Sequence, residues 1–425
     1  MTSLSETVSR STVWTKAMRV DGTRLWQSLM DLAQIGATPK GGVCRLALTD
    51  LDRQGRDLAV SWLRDAGASI EIDGAGNIFA TRQGREKEAP VVLTGSHVDT
   101  QPSGGKFDGN YGVLAGLEVL RTLNDASVST KKPIGVAIWT NEEGTRFIPT
   151  MGGSGAFARV HTLDYLLAQR DIDGISFGEA LRNIGYAGSA PVGERKLDAY
   201  FEAHIEQGPI LEREDKVIGV VTGALGQRWY DCVWTGQDAH AGPTPMEARH
   251  DALRGAAALV NAVNAIALRH APDGRGTVGF MQIKPNSRNV IPGRVTMTVD
   301  FRHPDDGALA KMDRELRDAV ATIGRDLKLE CEVKQVVEFP ASHFDADCVD
   351  SVQRAAEALG LSHRRIVSGA AHDAVYLSRV APTSMIFVPC KDGISHNEIE
   401  DARSEHLEAG ANVLLHAMLA RAGTA

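Results

Sequence analysis

A chain of 425 residues exceeds what one hydrophobic core usually organises, so two domains are expected. Hydrophobic residues at 43% and charged residues at 24% are the proportions of a soluble globular protein. A formal net charge of -8 argues against nucleic acid or an anionic membrane as a partner, since neither attracts an acidic surface.

The N-terminal MTSLSETVSRSTVWTKAMRV lacks the apolar core of a leader, and no stretch is apolar enough for long enough to span a bilayer. Ala89 to Thr94 (APVVLT) then reads as a short buried strand that stops at Gly95. From Gly109, the run GNYGVLAGLEVLRTLN repeats Val113, Leu114, Leu117 and Leu120 at helical spacing. Pro133 to Thr140 (PIGVAIWT) is a second buried strand, ending before Asn141. Strand, polar loop and helix in repetition predict an α/β fold, a mixed sheet flanked by helices with its functional loops at the strand carboxyl ends. From about Leu225 the pattern changes: strand Arg228 to Thr235, helix Met246 to His270, strands Thr277 to Lys284 and Arg294 to Arg302, helix Gly307 to Leu327, strand Leu329 to Val336. This βαββαβ order predicts an inserted ferredoxin-like α+β module. The first domain resumes near Glu338 and ends in a helix from Glu405 to Ala420, so the expected division is 1–224, 225–336 and 337–425. Five cysteines (Cys44, Cys232, Cys331, Cys348, Cys390) lie far apart with no C-x-x-C, which points to reduced thiols and a cytoplasmic setting.

Five short segments carry metal-type ligands: GSHVD with His97 and Asp99, KFDG with Asp108, NEEG with Glu142 and Glu143, HIEQG with His204 and Gln207, and SHN with His396. Asp99, two residues past His97, is placed to hold the second nitrogen of that ring. Asp108 sits in a Gly-rich turn, where an aspartate alone is more often a turn or cap residue than a ligand. Glu142 and Glu143 follow a buried strand, and on extended chain adjacent side chains point opposite ways, so one can bind metal while the other acts as a base. His204 and His396 share the strand-then-loop context. Each segment alone also reads as an ordinary polar turn; together they suit two divalent cations activating a water. In the inserted module, His240 lies in a Pro-rich turn (DAHAGPTP), and Asn289 and Arg302 lie beside strands; Arg302 suits a carboxylate clamp, though a surface ion pair is the plainer reading. His372, in SGAAHDA, reads equally as a substrate contact and as a satisfied His–Asp pair.

The segments GSHVDTQPSGGKFDG, NEEGTRF, HIEQGPILE, GVVTG, HAGPTPM, NVIPGRV, DFRHP, SGAAHDA and MIFVPCKDGISHNE resemble the M20-type dinuclear metal amidases, the group of N-carbamoyl-L-amino-acid hydrolases, β-ureidopropionases and allantoate amidohydrolases. The resemblance runs from about Trp26 to the final helix. It implies a domain holding two divalent ions, zinc by expectation with manganese or cobalt as alternatives, and a smaller lid that forms a homodimer. By motif position it implies His97, Asp108 and His204 around one ion and Asp108, Glu143 and His396 around the other, with Asp108 bridging. Glu142 becomes the general acid/base and His240 the lid residue that stabilises the oxyanion in the partner subunit. Gln207, Asn289, Arg302 and His372 become substrate contacts. A histidine at 204 separates this branch from peptidase relatives, which carry a carboxylate there. The implied reaction is hydrolysis of the ureido bond of an N-carbamoyl amino acid, an N-carbamoyl-L-amino acid or N-carbamoyl-β-alanine, to the amino acid, carbon dioxide and ammonia. Allantoate or ureidoglycolate amidohydrolysis is the alternative. A peptidase or deacylase of the same fold, or a metal-free binding protein, fits the intact ligand set less well.

Overall fold

The structure is a computed structural model that describes residues 18–425, so the N-terminal stretch read above for a leader lies almost wholly outside the described residues. The chain forms two compact units, one made of the chain up to Thr222 with His343–Ala425, the other of Gly223–Ser342.

The first unit is built on β1 (Ser69–Ile72), β2 (Ile78–Arg82), β3 (Val91–His97), β4 (Ile134–Trp139), β5 (Leu197–Ile205) and β6 (Ile218–Ala224). Across the sheet the order is β1-β2-β4-β3-β5, then Thr383–Val388, β6 and Ser342–His343, with His363–Ser368 also pairing to β6. The sheet is mixed. β3 runs parallel to β4 and β5, and Thr383–Val388 runs parallel to β5. β2 opposes β4, and β6 opposes Thr383–Val388. The parallel strands β3, β4 and Thr383–Val388 are buried throughout, which is why they read as continuous apolar runs instead of alternating ones. Helix Asn110–Asp125 buries Val113, Leu114, Leu117 and Leu120, and helix Ser404–Ala422 is tied to it where the Tyr111 hydroxyl donates to the Leu407 carbonyl at 2.8 Å.

Because these strands are parallel neighbours, their carboxyl ends share one edge of the sheet, and that edge collects the motif loops. β3 does not stop at Gly95 as expected; it starts at Val91 and continues through Gly95 and Ser96 to His97. The glycine is the reason: a Cβ there would run into the Ala137 backbone of β4, so the strand passes close by only because the side chain is missing.

The second unit has the strand order Met281–Lys284, Arg294–His303, Gly226–Thr235, Glu330–Phe339, with Arg275–Thr277 beside Arg294–His303. All its long pairings are antiparallel, the pattern of a split βαβ arrangement. Strand Arg294–His303 alternates buried and half-buried residues, and its buried face packs with helices Ala252–Arg269 and Asp306–Leu327 in a separate core around Tyr230, Trp234, Phe301 and Met312. Three expectations are corrected here. The first helix begins at Ala252, not Met246, because the Asp251 side chain caps it by accepting from Leu253 and Arg254 N–H, while Met246–Ala248 is a separate 3-10 turn. The run Thr277 to Lys284 is two strands, separated around Gly279. The last strand continues past Val336 to Phe339, following the full length of Gly226–Thr235. No helix among the described residues is long and apolar enough to cross a membrane.

Candidate metal centre

Two ligand groups stand at the carboxyl edge of the first unit's sheet: His97, Asp108 and His204, and Asp108, Glu143 and His396, with the ligand atoms of each within 4.8 Å of one another. Asp108 belongs to both. Its Oδ1 lies 3.2 Å from His204 Nε2 and 3.7 Å from His97 Nε2, and its Oδ2 lies 3.2 Å from His396 Nε2. Glu143 Oε2 lies 3.4 Å from His396 Nε2, and Glu142 Oε2 lies 3.5 Å from His97 Nε2.

The backbone sets the protonation of the two buried rings. His97 Nδ1 faces the Asp99 carbonyl at 2.9 Å, and His204 Nδ1 faces the Ile205 carbonyl at 2.8 Å. A carbonyl oxygen only accepts, so each Nδ1 donates, which leaves each Nε2, on the side of Asp108, as the nitrogen available to a metal. The expectation for Asp99 is therefore corrected: its main-chain carbonyl, not its carboxylate, holds His97. The carboxylate instead accepts the N–H groups of Glu142 and Glu143, each at 3.3 Å.

Glu142 and Glu143 diverge for a reason other than strand pleating. β4 ends at Trp139, and Asn141 takes a left-handed backbone (φ 55°), its side-chain amide donating to the Phe147 and Pro149 carbonyls at 2.9 and 3.1 Å. This turn, pinned by Asp99, sends one carboxylate towards His97 and the other towards His396. Gln207 and His396 also take left-handed backbone (φ 56° and 54°), an arrangement that costs energy and collects at functional sites.

The charges call for cations. Every ion-pair partner found for Asp108, Glu142 and Glu143 among the described residues is a histidine. Burial, with the charges of Asp373, Glu143 and Asp108, raises Glu142 well above the usual carboxylate range. Burial and the Asp108 charge push Glu143 up to about 8. Burial lowers His97 to about 4, while hydrogen bonding to Asp108 raises His396 to about 9. Glu142 and Glu143 drawn towards the neutral form, and His204 and His396 drawn into charge beside Asp108, are what this cluster does when protons are its only source of positive charge; divalent cations supply that charge to the same atoms. The donor set fits them.

Several supporting residues escaped the sequence reading. Gln101 donates to Glu143 through its main-chain N–H (3.2 Å) and its side-chain amide (2.7 Å). Arg45, fully buried, donates to the Val98 carbonyl at 2.7 Å and to Asn110 Oδ1 at 2.7 Å, joining the loops of His97 and Asp108. Only Gly109 carried a signal: its φ is 68°, and a Cβ there would collide with the His97 ring. Gln207, expected to face substrate, donates to Asp108 Oδ2 at 2.8 Å and to Ser395 Oγ at 3.1 Å. His372 is buried (3% exposed) against His204, with ring centroids 4.5 Å apart, and pairs with Ser368 at 3.1 Å; Asp373 bonds Ser154 instead.

The remaining motif residues lie in the second unit. Ala239–His240 pairs with Val290–Ile291, which puts His240 beside the Asn289 turn. His240 is exposed, and its Nδ1 accepts from the Gly242 N–H at 3.0 Å, so the proton sits on Nε2 as an outward donor. Arg302 is bonded to Asp300, two residues earlier on its strand, at 3.1 Å through Nε and 2.9 Å through Nη2.

Comparison with known proteins adds to this geometry. Residues 93–420 match the profile of peptidase family M20/M25/M40. An N-carbamoyl-L-amino-acid amidohydrolase of Rhizobium meliloti is 50% identical over 401 residues, covering 94% of this chain and 96% of that protein. A ureidoglycolate hydrolase of Arabidopsis thaliana is 33% identical over 409 residues, covering 94% and 86%. The crystal structure of an amidase of the hydantoinase/carbamoylase family from Burkholderia multivorans superposes with a TM-score of 0.94 at 62% identity, covering 96% of this chain and 99% of that one.

Proposed function

The chain belongs to peptidase family M20/M25/M40, and on that premise we propose that it is an amidohydrolase acting on N-carbamoyl amino acids. The observation that carries this reading is the carboxylate of Asp108 shared between two His-containing ligand groups, with Glu142 alongside and an imidazole at 204. The 50% identical carbamoylase relative supports an N-carbamoyl amino acid over ureidoglycolate, whose named hydrolase stands at 33%.

His97, Asp108 and His204 would hold one divalent cation, and Asp108, Glu143 and His396 the other; His and carboxylate donors together suit zinc, with manganese or cobalt able to replace it. When bound, two such ions supply Lewis acidity to the ureido carbonyl and to the attacking water. Glu142 takes the proton of that water on its carboxylate and returns it to the leaving nitrogen. The partner subunit's His240, in a homodimer joined through the second unit, donates its Nε2 proton to the developing oxyanion, a contact of roughly 3 kcal/mol. Arg302 binds the substrate carboxylate and Asn289 its polar atoms, while Gln207 exchanges its bond to Asp108 for one to the ureido group. Unpaired thiols at all five cysteines support a cytoplasmic setting.

The deciding assay is ammonia release from N-carbamoyl-L-amino acids, N-carbamoyl-β-alanine, allantoate and ureidoglycolate, with and without added zinc or manganese. Metal-dependent release from a carbamoyl amino acid is expected. Turnover of allantoate or ureidoglycolate alone would replace this reading with the alternative.

A further inference from the structure

Glu400, four residues beyond His396, is a buried carboxylate (4% exposed) with no ion-pair partner found among the described residues. A carboxyl group taken out of water must be matched by hydrogen bonds, and the bonds that Glu400 makes all lead to Asp108. Its Oε1 accepts the main-chain N–H of Phe107 at 2.9 Å and of Asp108 at 3.2 Å. Its Oε2 lies 2.9 Å from the Ser395 hydroxyl, which also lies 2.9 Å from Asp108 Oδ2. Gly105, just before the Asp108 turn, has to be small, because a Cβ there would run into the Glu400 carboxyl. Glu400 thus grips the Asp108 turn through its backbone, and Ser395, whose one hydroxyl proton serves either carboxylate, stands between Glu400 Oε2 and Asp108 Oδ2.

Asp108 Oδ2 is the oxygen facing His396; Oδ1, facing His97 and His204, has no bond to Ser395. We propose that Glu400 is a positioning residue for Asp108, holding the rotation of its carboxylate so that Oδ2 stays with Glu143 and His396 while Oδ1 stays with the other group. The proposal rests on the two-ion reading above. It makes the two ions unequal in their dependence on Glu400: loss of the side chain loosens Oδ2, which then keeps only its contacts to Gln207 and an unanchored Ser395, and leaves the His97/His204 side standing.

The test is stepwise metal uptake by the purified full-length chain, stripped with a chelator and titrated with zinc or with cobalt, whose absorption reports each site. Calorimetry and bound-metal analysis give the affinities and the count. Wild type is expected to take two ions. Glu400→Ala, which removes the acceptor of the Phe107 and Asp108 N–H groups and the contact to Ser395, is expected to keep the first with little change and to weaken the second by about 10- to 100-fold, the range for lost outer contacts. Glu400→Gln, whose amide oxygen still accepts both N–H groups and whose NH2 can donate to Ser395 Oγ, should restore most of the second affinity. Ser395→Ala, which leaves both backbone bonds in place, should weaken the second ion by a smaller factor. Wild-type affinity for both ions in Glu400→Ala overturns the proposal, as does an equal loss at both sites. Should Glu400→Ala fail to fold, Ser395→Ala decides alone: an unchanged second affinity overturns the proposal and a weakened one supports it. Uptake of fewer than two ions by wild type overturns the two-ion reading itself, and the proposal with it.

Discussion

Asp108 and His204 stand 3.2 Å apart, Oδ1 to Nε2, although they come from different parts of the chain: a Gly-rich turn and the end of a buried strand. The same Nε2 accepts the Gly109 N–H at 3.2 Å, so the imidazole meets both the backbone and the side chain of the Asp108 turn. Replacing the shared carboxylate should therefore be felt on both sides. Asp108→Ala is expected to abolish tight binding of both ions, while His396→Ala should lose only one. Bound-metal analysis after dialysis checks the pair, and equal stoichiometry in the two variants would contradict a shared Asp108.

Glu142 is expected to carry protons without holding metal. Glu142→Gln keeps the volume of the side chain and should keep both ions, yet lower kcat by roughly 10²- to 10⁴-fold, the usual span for a lost general acid/base. Turnover near wild type at full metal content would remove Glu142 from the mechanism.

Cation uptake should depend on pH in a definite direction. In the metal-free chain, burial disfavours charge on His204 but the Asp108 carboxylate outweighs it and raises the ring to about 9; Asp108 likewise raises His396 to about 9, and burial raises Glu143 to about 8. Below these values each group holds a proton that a cation must displace. Apparent affinity should therefore rise as pH increases from 7 towards 9 and level off above it, with protons released on binding. Calorimetry in buffers of different ionisation enthalpy counts them; an affinity independent of pH over this range would show that the ligands are already deprotonated.

Gly109→Ala tests why the turn is glycine. The backbone there has φ 68°, and the added Cβ meets the His97 ring. The variant is expected to lose about 1–3 kcal/mol of stability and to weaken the ion held by His97 and His204. A denaturation midpoint and a metal affinity both equal to wild type would show that the ring moves aside freely.

A homodimer with His240 acting across subunits makes a prediction that no monomer shares. Glu142→Gln and His240→Ala chains, each nearly inactive alone, should regain up to about a quarter of wild-type activity when mixed and allowed to exchange, because one site in the hybrid holds both intact residues. The gain reflects bringing catalytic groups together within one site. Strictly additive activity in the mixture would place His240 in its own subunit's site or outside catalysis.

Much of the architecture was legible because burial writes itself into composition. The strands Val91–His97 and Ile134–Trp139 are apolar on both faces, and the helix Asn110–Asp125 keeps its period, so both strands and the helix could be read directly. Boundaries were less legible where a neighbour decided them: Gly95 let a strand continue because Ala137 lies against it, and Asp251 moved a helix start by capping it. The candidate ligands stood out by type and by joint occurrence, since His and Glu recur at or just past the ends of apolar strands, with Asp108 in a Gly-rich turn between two of them. Gln101, Arg45, Ser395 and Glu400 are ordinary polar residues that gain meaning only from what they touch.

By itself, then, the sequence determined which residues could ligate and that most of them lay at or near the ends of buried strands, because residue type and hydrophobic period are local properties of the chain. The tertiary structure decided which oxygen of Asp108 faces which imidazole, that a carbonyl and not a carboxylate orients His97, and that Glu400 accepts the backbone N–H groups of the Asp108 turn. Those are matters of a few ångströms between residues up to 293 positions apart, set by parallel strands ending at a common edge, and no local pattern encodes them.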